Sequence, residues 1–231
     1  MLSPGTLLEF LERFPAANTV KTWWLAYSGG VDSQVLLHLM AQSGLNIQAI
    51  YIDHGLQAES EDWALHCENS CRALNIPFRV VAVDARPESG ESPEAAARTA
   101  RYQALAKLIT DQDCLLTAQH RDDQAETLLL QLFRGGGAAG LAAMPAVTKF
   151  SHGWHVRPLL DVSRQSILAY AKQQALSWVE DPSNLQHRYD RNFLRLQLMP
   201  VLKQRWPAIN QTLAQVAEQQ AENKRLLEQL A

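Results

Sequence analysis

A glycine- and serine-rich stretch near the N-terminus has the residue types of a phosphate-binding loop. An apolar segment at 24–27 leads into Ser28, Gly29, Gly30, Val31, Asp32 and Ser33, and a helical pattern follows. Glycines allow the backbone to approach a ligand closely, and the N-terminus of a helix attracts phosphate through its free N–H groups and dipole. GxGxxG and Walker motifs are absent. We therefore predict a pyrophosphate cradle of another kind; a turn that only caps the helix is the alternative.

Asp32 is unexpected in such a loop, because its carboxylate would repel a bound phosphate. A Mg²⁺ ion between the carboxylate and the phosphate oxygens would remove that repulsion. We therefore predict Asp32 as a ligand of Mg²⁺.

A second polar cluster, residues 117–127 (TAQHRDDQAET), follows an apolar segment. On a helix that begins near residue 122, positions i and i+3 share a face, so Asp123 and Glu126 can address one ion or one leaving group. His120 precedes that turn and has an ordinary pKa suited to acid or base catalysis. Acidic residues also complement a helix dipole, but that alternative covers Asp122 alone.

Two further segments carry candidate ligands of a nucleotide. His54 follows the apolar segment 47–52 and is predicted to stack on or hydrogen-bond to a nucleobase; a histidine in a turn is the alternative. Arg98 and Arg101 lie three residues apart on a predicted helix, so one face presents two guanidinium groups suited to phosphate. A solvated, ion-paired helix face is the alternative for the two arginines.

The charge of the chain restricts where a nucleic acid can bind. A formal net charge of −3 argues against a general polyanion binder, so any nucleic-acid site must be a local patch. Residues 186–206 carry a net charge of +4 and form the best candidate. Its cations are Arg188, Arg191, Arg195, Lys203 and Arg205.

The elements that must position these residues alternate in type. Apolar segments of strand length lie at 23–27, 47–52, 78–83 and 114–117, and segments of helix length lie at 32–42, 59–74, 93–109 and 122–133. Nearly continuous hydrophobicity in each strand, with a helix after it, predicts a buried parallel sheet with crossover helices. This is a doubly wound, Rossmann-like α/β domain, in which ligands lie beyond the carboxyl ends of the strands.

The motifs together resemble the bacterial tRNA(Ile)-lysidine synthetases, a branch of the PP-loop ATP pyrophosphatases. The resemblance is carried by SGGVDS (28–33), DHGL (53–56), the segment 94–102, TAQHRDDQAET, RPLL (157–160), EDPSN (180–184) and the later Arg188, Arg191, Asn192 and Arg195. It implies a PP-loop ATPase domain with a C-terminal helical extension. Members use ATP to adenylate C2 of the first anticodon cytidine of isoleucine tRNA with a CAU anticodon. L-lysine then displaces AMP to give lysidine.

The resemblance also implies roles for the candidate residues. ATP would contact the loop and His54, and Mg²⁺ would contact Asp32 and Asp123. The tRNA-binding residues would be Arg188, Arg191, Asn192 and Arg195. The catalytic residues would be Asp32, Arg98, Arg101, His120, Asp123 and Glu126. The assembly state, including a homodimer, is left open.

Two alternatives to this function stay open. tRNA thiolation usually needs a reactive thiol or an iron–sulfur cluster, and the three cysteines include no CxxC pair. A nucleotide-sensing or tRNA-binding module without turnover is the second alternative.

The organisation and location of the protein are predicted from composition and pattern. We expect the nucleotide-binding domain over 1–140, the rest of the catalytic domain with its helical tRNA-contacting part over 141–206, and a terminal helix over 207–231. That helix is polar, is expected to have few partners and is interpreted as a linker to a further domain; the glycines at 135–140 predict a mobile loop. The longest apolar runs are a few residues, which excludes a membrane span, and a cytoplasmic location is expected.

Overall fold

The computed structural model describes residues 2–14, 16–55, 60–87, 92–185 and 189–230, and the side chains of all of these except Glu94, Asn184 and Leu185. The chain divides into two compact units. The first contains Met1–Ala118, Val147–Pro158 and Gln165–Glu180, and the second contains Gln119–Ala146, Leu159–Arg164 and Asp181–Ala231. The domain boundaries expected at residues 140 and 206 stay a prediction.

A mostly parallel sheet forms the centre of the first unit. Within the described residues it has six strands: β1 (Thr22–Ala26), β2 (Ile47–Asp53), β3 (Phe78–Ala82), β4 (Asp113–Leu116), β5 (Val147–Phe150) and β6 (Gly153–Val156). Their order is β3-β2-β1-β4-β6-β5, and only the β5–β6 pair is antiparallel. The doubly wound α/β fold predicted from the sequence is therefore confirmed.

The central strand β1 shows why a strand in the middle of this sheet is apolar along its length. Leu25 of β1 is fully buried and lies opposite Ala49 of β2 and Leu116 of β4. A strand with neighbours on both edges and helices on both faces needs apolar side chains in either direction, which explains its continuous hydrophobicity.

Helices follow strands β1 to β3 where the sequence predicts them: α2 (Val31–Ala41), α3 (Ser60–Ala73) and α4 (Pro93–Ala106). The α1 helix (Pro4–Glu12) precedes β1, and α7 (Arg164–Gln173), whose Arg164 belongs to the second unit, follows β6. The α1 helix begins at a Pro after Ser3, whose Oγ accepts a hydrogen bond from the Thr6 N–H at 3.2 Å. A serine cap and a proline at the first helical position are the ordinary sequence signals of a helix start.

The β5–β6 hairpin was not predicted from the sequence. Its residues, VTKFSHGWHV, mix polar and apolar types because β5 is an edge strand with neighbours on one side only. Ser151 in the turn adopts a φ of 51°, and Gly153 lies so close to the Asp113 backbone that a Cβ would be 2.3 Å from its carbonyl oxygen. The hairpin places β6 beside β4 and so adds another parallel strand to the sheet.

The second unit is helical in its described part. It contains α5 (Arg121–Phe133), α6 (Ala138–Leu141), α8 (Asp190–Phe193), a π-helical segment (Leu194–Leu198), α9 (Met199–Arg205) and α10 (Ile209–Leu230). Its apolar core joins Leu129 to Leu194 and Met199. No helix in the described part of the chain is long and apolar enough to span a membrane.

The expectation that the terminal helix has few partners is wrong for its first half. Ile209 and Leu213 of α10 pack against the core of the second unit, and Ala217 is fully buried. Beyond residue 220 every described residue of α10 is exposed. Part of the glycine-rich segment, expected to be a mobile loop, is helical in α6.

Asp122 at the start of α5 hydrogen-bonds to several segments of the second unit. Its carboxylate accepts hydrogen bonds from the Arg164 N–H at 3.1 Å, from Lys203 Nζ at 3.1 Å and from the Asn210 side chain. Burial acts to raise the pKa of Asp122, but these donors outweigh burial and hold that pKa below its usual value. The carboxylate is therefore a structural anion that links α5 to three other segments.

We expect Asp122→Asn to lower the free energy of unfolding at pH 7 by about 1–3 kcal/mol, the range for losing hydrogen bonds to a charged group. Because the folded pKa of Asp122 is depressed, its stabilisation is present above the ordinary aspartate pKa of about 4 and is lost as pH falls through the folded pKa. The difference from wild type in urea unfolding should therefore shrink at low pH. Asp111→Asn, at an exposed site, is the control; equal stability of D122N and wild type would contradict this role.

Candidate active site

The phosphate-binding loop predicted from the sequence lies between β1 and α2. Gly30 is the N-cap of α2, which begins at Val31. Ser33 Oγ donates to the Gly30 carbonyl at 2.9 Å, accepts from the Ser28 N–H at 3.3 Å and shares a 3.2 Å hydrogen bond with Ser28 Oγ. The two serines thus close the loop, and the first N–H groups of α2 have no partner within the helix. These are the donors that a phosphate group needs.

The loop requires a glycine at position 29. Its φ of +77° is left-handed, and a Cβ there would lie 2.9 Å from Cys67 Sγ and 3.4 Å from Val179 Cγ2. The Gly29 carbonyl also accepts a hydrogen bond from the Val179 N–H at 2.9 Å. The loop is therefore packed against α3 and the segment after α7, and only glycine fits at this point.

Asp32 lies in the first turn of α2, where a carboxylate complements the helix dipole. The described residues contain no group of three or more His, Cys, Asp or Glu side chains that could enclose a metal ion. Mg²⁺ nevertheless needs only one or two carboxylates when substrate phosphates supply other ligands. An aspartate beside a phosphate-binding helix end fits that donor set. Asp32 belongs to the first unit and Asp123 to the second, so a site that uses both stays a prediction.

His54 and Arg101 are brought together after β2. Arg101 Nη2 donates to His54 Nε2 at 3.1 Å. Burial and the adjacent Arg101 charge lower the pKa of His54 to about 4, so the ring is neutral at physiological pH. A guanidinium group can only donate, which leaves the proton of the neutral ring on Nδ1. His54 therefore offers a donor to a nucleobase, and its predicted contact with the base stays a prediction.

A cluster at the carboxyl ends of β4 and β6 was not assigned from the sequence. His155 Nε2 and Thr117 Oγ1 lie 2.7 Å apart, and Arg157 Nη2 lies 3.2 Å from His155 Nδ1. Arg98, predicted as a phosphate ligand, has its Cζ 5.0 Å from the ring centroid of Tyr102 on the same helix. The RPLL motif is evident in the sequence, but only the position of β6 shows that its arginine, Arg157, lies at this edge of the sheet.

The acidic cluster lies in the second unit around the start of α5. His120 is the N-cap: its Nδ1 accepts from the Asp123 N–H at 3.3 Å, and Asp123 Oδ2 accepts from the His120 N–H at 3.0 Å. Arg195 binds both Glu126 oxygens at 2.8 Å and Asp123 Oδ1 at 2.9 Å. The predicted shared face of Asp123 and Glu126 is thus present, with a guanidinium group between the carboxylates.

The charge balance of this cluster follows from its burial. Glu126 is only 2% exposed, and burial raises the pKa of its carboxyl above the ordinary value while the hydrogen bonds from Arg195 oppose that shift. A neighbouring cation is what allows a carboxylate to stay charged in such a place. Arg195 therefore supplies the counter-charge that two carboxylates on one helix face need.

The predicted tRNA-binding residues have separate environments. Arg191 Nη2 donates to Thr127 Oγ1 at 2.9 Å, and Asn192 is buried with its Nδ2 donating to the Ser183 carbonyl at 2.9 Å. Arg195 is engaged by the acidic cluster, and Arg188 lies outside the described residues. Their contact with tRNA stays a prediction, as do the acid–base role of His120 and the phosphate contacts of Arg98 and Arg101.

The loop, its position after the central strand and the mostly parallel sheet define a nucleotide-binding α/β protein of the PP-loop type. Residues 6–202 match the family model described as the PP-loop domain. The chain belongs to the PP-loop domain family.

Among curated proteins the chain is similar to tRNA(Ile)-lysidine synthases, which confirms the resemblance seen in the motifs. It is 50% identical over 214 residues to that of Methylococcus capsulatus, covering 91% of the chain and 49% of the relative. It is 46% identical over 233 residues to that of Pseudomonas syringae pv. tomato, covering 99% and 51%. The chain spans about half the length of the curated relatives it matches.

Solved structures with this fold include enzymes of several reactions. A U34-tRNA thiolase from Methanococcus maripaludis matches with a TM-score of 0.79 at 17% identity, over 95% of this chain and 77% of that one. An NMN synthetase from Francisella tularensis matches with a TM-score of 0.55 at 14% identity, over 97% of both chains. At these identities the likeness establishes the fold alone.

We expect Gly29→Ala to lower the free energy of unfolding by at least about 1–2 kcal/mol, because the left-handed conformation alone costs that much for a residue with a Cβ. The matched control is Gly30→Ala: Gly30 has a φ of −69°, and its built Cβ meets nothing closer than Ser28 Oγ at 3.6 Å. Thermal and urea unfolding of both variants measure the difference. Equal destabilisation of G29A and G30A would contradict the steric account.

We expect Arg195→Met to lower the free energy of unfolding by about 3–5 kcal/mol, since it leaves buried carboxylates without their counter-charge. Arg134→Met is the control in the same unit, because its exposed guanidinium group pairs with the exposed Asp190, and it should cost about 1 kcal/mol or less. If urea unfolding finds R195M no less stable than R134M, the proposed balance of the acidic cluster is wrong.

Proposed function

We propose that this chain catalyses the ATP-dependent ligation of L-lysine to the first anticodon cytidine of isoleucine tRNA with a CAU anticodon, the reaction named for its curated relatives. The observation that carries the proposal is the loop of Gly29 to Ser33, whose glycine turn opens a helix N-terminus at the end of the central strand. It suits a reaction in which pyrophosphate leaves a nucleotide. The long matches to lysidine synthases support the choice of substrate.

The first step would transfer adenylate from ATP to the RNA. The C2 oxygen of cytidine attacks the α-phosphorus, the bond to the bridging oxygen breaks, and pyrophosphate leaves. The loop N–H groups stabilise the charge that develops on the leaving phosphates. When bound, Mg²⁺ held by Asp32 and phosphate oxygens would supply further charge stabilisation. No covalent bond to the protein is needed, so positioning and electrostatics account for this step.

The second step would join lysine to the activated base. The lysine amine attacks C2, AMP departs with the oxygen that had been activated, and the amine loses a proton. Asp123 and Glu126 are suited to hold an ammonium group, because two carboxylates against the one guanidinium group of Arg195 leave a net negative charge on this face. His120 adjoins these carboxylates and is the candidate acid or base.

A thiolation reaction is the alternative, since a tRNA thiolase shares the fold. Cys67, Cys71 and Cys114 are each fully buried. Burial raises the pKa of Cys67 and Cys71 to about 12 and also raises that of Cys114, so none is a thiolate near neutral pH. A reactive sulfur nucleophile requires the thiolate. The cysteines of this chain therefore favour lysine ligation over thiolation by one of its own thiols.

The proposal extends to partners and location. Isoleucine tRNA, ATP, Mg²⁺ and L-lysine are its ligands, and a cytoplasmic location goes with them because tRNA and ATP are available there. A homodimer stays a prediction.

The test is transfer of radiolabelled lysine to an unmodified CAU isoleucine tRNA transcript in the presence of ATP and Mg²⁺, after mild base treatment that removes aminoacyl esters. Base-stable label is expected. AMP release that needs tRNA but not lysine, without label, would indicate another PP-loop modification. A binding module would give neither label nor AMP.

We expect Asp32→Asn to abolish AMP formation while the circular dichroism spectrum and melting temperature stay near those of wild type. The carboxylate would be lost from the proposed Mg²⁺ site, but Asn can occupy the same place in the first turn of α2. Asp84→Asn, at an exposed site of the same unit, should retain wild-type AMP formation. Wild-type turnover by D32N would remove Asp32 from the mechanism.

A further inference from the structure

The exposed Phe and Trp side chains are concentrated in the second unit. The chain has six Phe and six Trp residues, all of which the structure describes, and nine of these side chains are buried or half-buried. The other three are Phe133 (63% exposed), Phe193 (52%) and Trp206 (55%), and all three belong to the second unit. A single exposed apolar residue is ordinary, but exposed aromatic residues confined to one unit indicate an interaction surface.

Phe133 and Phe193 are brought to one region of that surface by the packing of two helices. Phe133 is the last residue of α5, Phe193 is the last residue of α8, and the two helices contact each other. Arg134, which follows Phe133, donates from Nη2 to Asp190 Oδ2 at 3.3 Å. Asp190 is three residues before Phe193 and therefore shares a helix face with it. Both rings thus lie near this exposed ion pair, and we call them the aromatic patch.

The charge of the chain around Phe193 indicates the kind of partner. Phe193 lies within residues 186–206, which carry a net charge of +4 in a chain whose formal net charge is −3. The centre of a protein–protein interface is usually depleted of charged residues. Single-stranded nucleic acids instead bind where cations accompany exposed aromatic rings, because unpaired bases stack on the rings. A positively charged aromatic surface therefore favours RNA over a second protein.

The aromatic patch and the acidic cluster share one helix. Phe133 is seven residues after Glu126 on α5, which corresponds to about 10 Å along the helix axis at 1.5 Å per residue. In the proposed function the acidic cluster serves the chemistry at an unpaired base of an anticodon. A base stacked on Phe133 would then be a near neighbour of the reacting base, held by contacts that do not depend on its identity.

We propose that Phe133 and Phe193 form a stacking surface for unpaired RNA bases. The ligand is single-stranded RNA, bound through the faces of its bases and with little preference for sequence. The inference deepens the proposed function and rests on it for the choice of an anticodon loop as the natural ligand.

Fluorescence anisotropy of a short, unstructured, dye-labelled RNA titrated with the full chain tests the surface. Phe133→Leu and Phe193→Leu keep most of the apolar bulk but lose the aromatic face, so each should weaken binding about 5- to 100-fold, the effect of losing one stacked base. Phe193→Tyr keeps the ring and should bind like wild type. Leu65→Ala removes an exposed apolar side chain from the first unit and should also leave the affinity unchanged.

An abasic oligonucleotide of the same length and charge separates stacking from contacts with phosphate. F133L and F193L should bind this probe as tightly as wild type does, because it has no bases to stack. With RNA, the slope of log affinity against log salt concentration should stay at the wild-type value, since that slope reports phosphate contacts. Equal weakening of both probes, or a reduced slope, would overturn the stacking role.

Wild-type RNA affinity of F133L and F193L would overturn the proposal, as would a wild-type chain that binds no RNA. If light scattering then finds a dimeric wild type and a monomeric Phe193→Ser variant, the aromatic patch joins two copies of the chain instead.

The titrations use neither ATP nor lysine, so their result is distinct from that of the lysine-transfer assay. Lysidine formation together with unweakened RNA binding by F133L and F193L would overturn the stacking surface alone. Weakened RNA binding by these variants, with no lysidine formed by wild type, would support the surface and contradict the proposed function.

Discussion

The parallel arrangement of the strands is the constraint on which the candidate site depends. Strands β1, β2, β4 and β6 run in one direction, so the segments that follow them reach the same edge of the sheet. Gly29, His54, Thr117 and Arg157 are distant in sequence, yet each comes directly or within three residues after one of these strands. Burial of the apolar strands therefore also brings the polar residues together, because parallel strands end at the same edge of the sheet.

The loop after β1 shows how closely the buried packing limits the site. Gly29 has a left-handed conformation, and the sulfur of Cys67 occupies the space where its Cβ would be. This explains the buried cysteine on α3 as a packing residue beneath the loop. In the acidic cluster of the second unit the constraint is electrostatic. Two carboxylates can share one helix face because the guanidinium group of Arg195 lies between them.

Local signals account for what the sequence predicted well. Strands β1 to β4 are nearly continuous apolar runs, the loop combines glycines with a strand before it and a helix after it, and the i, i+3 spacing placed Asp123 and Glu126 together. Other features depend on non-local pairing. Glu126 and Arg195 are 69 residues apart, and no local pattern indicates that they meet. Arg157 could not be assigned because the edge hairpin that carries it lacks the apolar run of a central strand.

We infer that the carboxyl edge of the sheet binds the phosphates of ATP through the backbone of the glycine loop. A crystal structure of the chain with Mg²⁺ and α,β-methylene-ATP tests this most directly. We expect phosphate oxygens at hydrogen-bond distance, about 2.7–3.2 Å, from backbone N–H groups between Gly29 and Ser33. A nucleotide bound elsewhere, with no phosphate on these N–H groups, would contradict it.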